Sequence, residues 1–363
     1  MHRLLPILSL TAWLCAGCGP EEDEPPATPT PNPAGTACAM SFDHIWSGGA
    51  TSGGYSQQSA QSIEELHRLG IRSVAIMPTG WMKTLHSVKI EDHPDRFLDT
   101  NVTQMRRDAR AAKLLGMKVM IKPHILVGSG KWVANADPDE DLGGWGAWFA
   151  SYETFITFWA RFAEQVGADY FCAGTELRSS VLDQPQRWRA MLNRVRRHFT
   201  GKWTYSAHFD TPEKVAFWNR LDMVGVAMFG PLTDHSYPTP VELEQNAAEW
   251  LERYERLARM YQLPLMITEV GFANREGTAF EPWKWPTKLP VPKRSALGDR
   301  QQRQAYEAII NTFGHSKVVE VMFWWKWFDN AAYQETAEGV GFSPRGKPAL
   351  KALRAECSTA QGP

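Results

Sequence analysis

Net charge is nearly absent from this sequence: 39 Lys and Arg stand against 40 Asp and Glu, a formal −1. No basic stripe is visible, so nothing points to a nucleic-acid partner, which needs clustered cations along one surface. Cysteine is scarce. Of the 5 cysteines, Cys15 and Cys18 fall in the amino-terminal apolar segment, which leaves Cys38, Cys172 and Cys357. None has the Cys/His spacing that holds zinc, and no metal site is expected. A bilayer-spanning run is missing too, because the apolar stretch 4–14 is too short to cross as a mature helix. A phosphate turn is also lacking. Ser47-Gly48-Gly49-Ala50 and Ser52-Gly53-Gly54 are glycine-rich, but they have neither the phosphate-loop lysine nor the dinucleotide spacing. No cofactor is expected.

What is present is enough apolar material for a large core: 363 residues, 43% of them hydrophobic. Tryptophan is abundant, with 16 residues, several near expected strand ends. Flat indoles there suit either a core or a surface on which sugar rings stack. The amino terminus reads as an export signal, with His2 and Arg3 ahead of the apolar run. Leu14-Cys15-Ala16-Gly17-Cys18-Gly19 resembles a bacterial lipobox with Cys18 as the lipidated residue. Cys15 stands where Leu is commoner, so ordinary signal cleavage stays open. Residues 1–18 are therefore read as a lipoprotein signal, 19–37 as an acidic, Pro/Thr-rich tether, 38–357 as the folded domain and 358–363 as a tail. The expectation is an exported lipoprotein, anchored at the outer membrane or extracellular, whose only membrane contact is the lipid. A monomer is expected.

Periodicity and glycine stops place strands over 40–46, 71–77, 118–125, 168–174, 203–208, 223–229, 265–272 and 318–327. Helices are read over 59–69, 103–115, 145–166, 186–199, 212–220, 240–261, 300–313 and 348–355. Strands that alternate with helices through one domain predict an α/β fold, a (β/α)8 TIM barrel. A doubly wound open sheet alternates in the same way, but it normally carries the phosphate turn missing here. Barrel closure would bring first and last elements together and allow a disulfide between Cys38 and Cys357; two free thiols are the alternative. Cys172, inside an apolar strand, reads as inert core.

Chemistry concentrates at two strand ends. Leu265-Met266-Ile267-Thr268-Glu269-Val270-Gly271-Phe272 drives an apolar strand into a carboxylate, and Gly174-Thr175 deliver Glu176 at the end of another. The carboxyl ends of barrel strands are where such enzymes keep their reactive groups. A pair of carboxylates cleaves a glycosidic bond, one protonating the leaving oxygen and the other attacking the anomeric carbon or activating water. The plainer reading is structural: a rim ion pair for Glu269, and Arg178 as a partner for Glu176.

Gly174-Thr175-Glu176-Leu177, Ile267-Thr268-Glu269-Val270-Gly271-Phe272, Pro282-Trp283-Lys284-Trp285 and Phe323-Trp324-Trp325-Lys326-Trp327 resemble, in order, the motifs of glycoside hydrolase family 113. The similarity runs from about Phe42 to Leu353. It implies a retaining barrel glycosidase acting on β-1,4-linked mannan or glucomannan. Glu176 would be the acid/base and Glu269 the nucleophile that carries a glycosyl ester, with the carboxyls about 5–5.5 Å apart. Much of the wider clan has Asn before the acid to bind the reacting sugar's 2-hydroxyl, where this chain has Thr175.

Trp81, His124, Thr175 and His208, near strand ends, are candidates for contacts to a β-linked polysaccharide or oligosaccharide. Simple alternation puts Trp325 and Trp327 on one strand face and Trp324 on the other, so Trp325 or Trp327 is expected to be the sugar platform. Trp283 and Trp285 lie in a long Pro-rich loop and are expected to line a subsite wall. Two other functions stay open: a related β-glycosidase acting on glucan, xylan or galactan, and a carbohydrate-binding lipoprotein without catalysis.

Overall fold

The computed structural model describes residues 36–43, 55–92, 98–128, 130–286 and 290–359. The expected signal with Cys18, the tether up to residue 35, the glycine cluster at 47–54 and the tail beyond residue 359 lie outside the described residues.

In chain order the strands are β1 (Ala37–Asp43), β2 (Ser73–Ile76), β3 (Thr79–Met82), β4 (Glu91–Asp92), β5 (Lys118–Ile121), β6 (His124–Val127), β7 (Tyr170–Thr175), β8 (Lys202–His208), β9 (Val224–Met228), β10 (Leu265–Val270) and β11 (Val319–Phe328). The helices are α1 (Tyr55–Arg68), α2 (Leu98–Leu114), α3 (Gly144–Gln165), α4 (Arg178–Asp183), α5 (Pro185–Val195), α6 (Pro240–Tyr261), α7 (Ala296–Ile309) and α8 (Ala349–Thr359). A closed barrel runs β1-β11-β10-β9-β8-β7-β5-β2, and β4-β3-β6 form a separate small sheet. All barrel neighbours are parallel. The chain is a (β/α)8 barrel.

Each barrel strand buries both faces, which is why these segments are apolar runs, whereas β3 and β6 of the small sheet alternate. The inward side chains Ala39, Ala75, Met120, Tyr170, Cys172, Met266, Val321 and Phe323 pack on one another inside the cylinder. Outward ones such as Phe42, Val119, Phe171, Ile267 and Trp324 meet the helices. Cys172 is free and buried, and burial pushes its thiol up, as an inert core cysteine requires. Helix ends follow local chemistry. Thr239 caps α6 by accepting from the Glu242 N–H at 3.2 Å, and Pro240 occupies the first turn. Among the described residues no helix is long and apolar enough to cross a membrane. Cys38 at the start of β1 and Cys357 on α8 are disulfide-bonded, with Cα atoms 5.6 Å apart.

Two expected elements differ. The strand expected over 118–125 is two strands. Pro123, which has no N–H for the ladder, ends β5, and His124 opens β6 in the small sheet. The helix expected over 212–220 is two 3-10 turns, Pro212–Lys214 and Trp218–Arg220. The Trp218 indole N–H donates to the Pro212 carbonyl at 2.8 Å and folds the segment back on itself. A helix this short has little cooperative gain to oppose that contact.

Candidate active site

Both glutamates follow a register shift. On β7, Cys172 and Thr175 face Thr204 and Ser206 of β8, so three steps run against two. On β10, Ile267 and Glu269 face Val226 and Ala227 of β9, two steps against one. A bulge re-aims the side chains that follow it, and bulges gather beside active sites. Glu176 then turns back in the left-handed region, at φ 53°. Such a conformation costs a non-glycine residue roughly 1–3 kcal/mol and persists only when its surroundings hold it. Here the Glu176 N–H donates to the Ser206 carbonyl and the Leu177 N–H to the Tyr205 hydroxyl, each at 2.9 Å.

Glu269 is buried. Its Oε1 accepts from Lys122 Nζ at 2.6 Å, and the same ammonium donates to the Thr268 carbonyl at 3.1 Å. Lys122 is itself fully buried and lies 5.2 Å from the Trp325 ring centroid. His124 Nε2 sits 3.5 Å from the same carboxylate oxygen. Burial, with the Lys122 and Lys326 ammonium groups nearby, holds His124 well below its ordinary value, so it stays neutral near pH 7.

Among the described residues no lysine or arginine pairs with the Glu176 carboxyl. Its Oε2 accepts from the Trp132 indole N–H at 3.3 Å, and its Oε1 is 3.9 Å from His208 Nε2. His208 Nδ1 in turn meets Asp210 Oδ1 at 2.5 Å, and burial keeps the imidazole below its ordinary value. Burial first, and the Glu269 charge second, push the Glu176 carboxyl up to about 8. Among the described residues no ion pair joins Arg178 to Glu176; the two meet only through the backbone, Arg178 N–H to the Glu176 carbonyl. Glu176, raised in part by the Glu269 charge, is thus within electrostatic reach of a lysine-paired glutamate.

Aromatic rings flank both acids. Beside Glu176, Trp132 packs on His208 at 4.7 Å, His208 on Phe209 at 4.2 Å, and Phe209 stacks on Trp283 at 5.7 Å. Beside Glu269, Trp325 meets His124 and Trp285 edges on Trp325 at 6.3 Å. Lys326 lies under this second group, 5.0 Å from the Trp285 ring and 2.6 Å from Asp43 Oδ2.

The fold therefore brings together Glu176, Glu269, His124, His208, Trp283, Trp285 and Trp325. Trp81 stands on β3 of the small sheet, against Gly128. The Thr175 hydroxyl donates inward to the Pro123 carbonyl at 3.2 Å, so its hydrogen bond serves the barrel rather than a ligand. Trp327 corrects the alternation argument. It is fully buried in the layer between barrel and helices, with Trp324 and not with Trp325. A shift in the pairing of β11 with β1 sets Met40 opposite Trp324 and Phe42 opposite Trp327, which inserts one extra residue and returns Trp327 to the outer face. Gly271 makes room for that bulge, because a Cβ there would collide with the Trp325 carbonyl oxygen.

Sequence reasoning passed over Lys122, Trp132, Lys326, Asp43 and Asp210. A lysine ending an otherwise apolar barrel strand was a usable signal for Lys122. Trp132 lies in a loop without pattern. Away from the mouth, Asp234, His235 and Glu242 bring possible ligand atoms within 4.8 Å of one another. The group is exposed and already tied by the contact of His235 with Glu242 at 3.2 Å, so we assign no metal to it.

Several solved structures share this architecture. The GH113 β-mannanase from Alicyclobacillus acidocaldarius, solved in complex with ManMIm, superimposes with a TM-score of 0.75 at 23% identity, covering 90% of this chain and 98% of its own. A second GH113 β-1,4-mannanase, solved as a complex, gives 0.74 at 22% identity over 88% and 98%. The endo-β-1,4-mannanase from Thermotoga petrophila is more distant, at 0.53 and 13% identity over 91% and 78%. At these identities the likeness establishes the fold. No curated protein matches the chain. The model of Glycoside Hydrolase Family 113 matches residues 44–347, most of the sequence, and the chain belongs to that family.

Proposed function

We propose that this glycoside hydrolase cleaves β-1,4-mannosidic bonds in mannan or glucomannan by double displacement, with Glu176 as acid/base and Glu269 as nucleophile. The observation that carries the reading is the unequal pair: a carboxyl pushed up to about 8 beside a carboxylate partner held by a buried ammonium. Two glutamates doing opposite proton work at one pH need such a difference. Glu176 protonates the departing oxygen while Glu269 attacks the anomeric carbon and forms a glycosyl ester. The Glu176 carboxylate then takes a proton from water as that water opens the ester, and the sugar leaves with retained configuration. Lys122 holds the Glu269 carboxylate in place, and Trp132 orients the Glu176 carboxyl. The mannanase structures that share the fold support mannose as the sugar. The lipobox-like Cys18 supports export and lipid anchoring of the enzyme.

The test is a panel of mannan, glucomannan, cellulose and xylan with product analysis, followed by NMR of the first anomer released. Mannobiose and mannotriose of β configuration are expected. Predominant hydrolysis of cellulose or xylan would overturn the sugar assignment, and an α product the retaining step.

A further inference from the structure

The two oxygens of the Glu176 carboxyl meet groups of different kinds. The Trp132 indole N–H, which can only donate, reaches Oε2 at 3.3 Å, and His208 Nε2 stands 3.9 Å from Oε1. What His208 offers there depends on which ring nitrogen holds its proton. Asp210 decides this. Partial burial raises the Asp210 carboxyl, but hydrogen bonds from His208 and Thr211 outweigh it and hold the group below its ordinary value, so it is ionised. An ionised carboxylate only accepts, so its contact with His208 Nδ1 at 2.5 Å assigns the ring proton to Nδ1. Burial keeps the imidazole neutral near pH 7 against the pull of Asp210. Nε2 therefore turns a lone pair, an acceptor, towards Glu176.

The turn after β8 fixes this arrangement. The Thr211 N–H donates to the His208 carbonyl at 3.1 Å and closes the turn that returns Asp210 to the ring. Arg253 on α6, paired with both oxygens of Glu213, donates to the Asp210 carbonyl at 2.9 Å. Trp132 and Phe209 pack on the imidazole at 4.7 and 4.2 Å. Three further charges act here: Arg178 on α4 opposes a proton on His208, while Lys122 and Glu269 act on Glu176 with opposite signs. One donor and one acceptor are the complement of a protonated carboxyl. Its carbonyl oxygen takes the indole N–H, and its O–H gives to the imidazole. An ionised carboxyl would set two electron-rich atoms against each other at Oε1 and Nε2.

We propose that Asp210 is a positioning residue that acts through His208: it keeps the ring proton on Nδ1, so that Nε2 accepts from the Glu176 O–H and stabilises the proton-bearing acid. This rests on the assignment of Glu176 as acid/base. The gap of 3.9 Å is longer than a hydrogen bond, and contacts of this kind tighten when substrate is bound. The proton is thereby kept for the leaving oxygen in the first step. In the second step the same lone pair makes the Glu176 carboxylate a stronger base towards water.

The test reads the tautomer first, in the full chain with 15N-labelled histidine, the His208 signals being those lost in His208→Phe. Long-range 1H–15N correlation near pH 7 should show Nδ1–H in the wild type, a measurement that needs no variant of Asp210 to fold. In Asp210→Asn the amide can donate to Nδ1, so the proton should move to Nε2, where it favours an ionised Glu176. The alkaline limb of kcat/KM on mannan should then fall to lower pH. In a His208→Phe background the same substitution should move the limb about half as much or less, because the part that passes through the ring is gone. A wild-type Nε2–H tautomer, or equal limb shifts in both backgrounds, overturns the proposal while leaving the proposed function intact. A wild-type enzyme inactive on mannan overturns the two together.

Discussion

Glu269 meets a buried ammonium at 2.6 Å, whereas Glu176 meets an indole N–H at 3.3 Å and a neutral imidazole at 3.9 Å. Both are glutamates placed by bulges at the carboxyl ends of barrel strands, so the backbone treats them alike. Their neighbours separate them. The lesson is that surroundings separate two like acids at this mouth: burial and the Glu269 charge push Glu176 up, the Trp132 indole works against that rise, and the Lys122 ammonium pairs with Glu269. Each prediction below removes one side of that contrast.

Removing the acids themselves has the largest effect. Glu176→Gln should reduce hydrolysis of mannan by about 10²–10⁴-fold, the usual range for a general acid. Glu269→Gln should reduce it further, since no covalent intermediate can form. Replacing mannan with an activated aryl mannoside separates the two. Glu176→Gln should recover much of its loss on the glycosylation step, because a good leaving group needs no proton, and Glu269→Gln should recover none. Recovery by Glu269→Gln instead would reverse the assignments.

Lys122→Met comes next. It leaves the Glu269 carboxylate buried without its partner, and breaking such a pair costs about 3–5 kcal/mol. Denaturant unfolding should show that loss together with a fall in kcat. The double variant Lys122→Met/Glu269→Leu should recover most of the stability and none of the activity. A stable Lys122→Met enzyme would mean that the ion pair does not hold the carboxylate.

How much of this contrast could be read from the sequence depends on distance along the chain. The strands that lead to Glu176 and Glu269, and the helices α5 and α6 between them, were legible because a barrel writes its elements as short apolar runs and amphipathic segments, whereas the helix expected over 212–220 was not there. The bulges were not legible. Nothing in Cys172 to Thr175, or in Ile267 to Glu269, announces an extra residue, because a bulge is a property of pairing with a neighbour strand. The same blindness put Trp327 on the wrong face. Trp132 was invisible for another reason. It reaches Glu176 from 44 residues away in the chain, out of a loop with no periodicity. Lys122 was in plain view, but its partner becomes one only when β5 and β10 face each other across the closed barrel.

The smallest expected effects are on pH dependence, and they test the Glu176 side alone. The reactive form of the acid is the protonated one, so kcat/KM should hold up to about pH 8 and fall as pH rises through that value. The Trp132 indole bond favours the charged form and lowers the Glu176 value, so Trp132→Phe should move the alkaline limb to higher pH. The Asp210 charge opposes ionisation, so Asp210→Asn should move the limb to lower pH by a fraction of a unit. Folding stability follows the same sign. The folded state holds the Glu176 proton more tightly than the unfolded chain, whose value is near 4.5, so this group's contribution is greatest below that value and is lost as pH rises towards 8. Glu176→Gln removes the dependence and should gain stability over the wild type across that interval. Opposite shifts of the limb in Trp132→Phe and Asp210→Asn, read from one set of pH profiles, would tie the limb to Glu176. Shifts in the same direction would place the titrating group elsewhere.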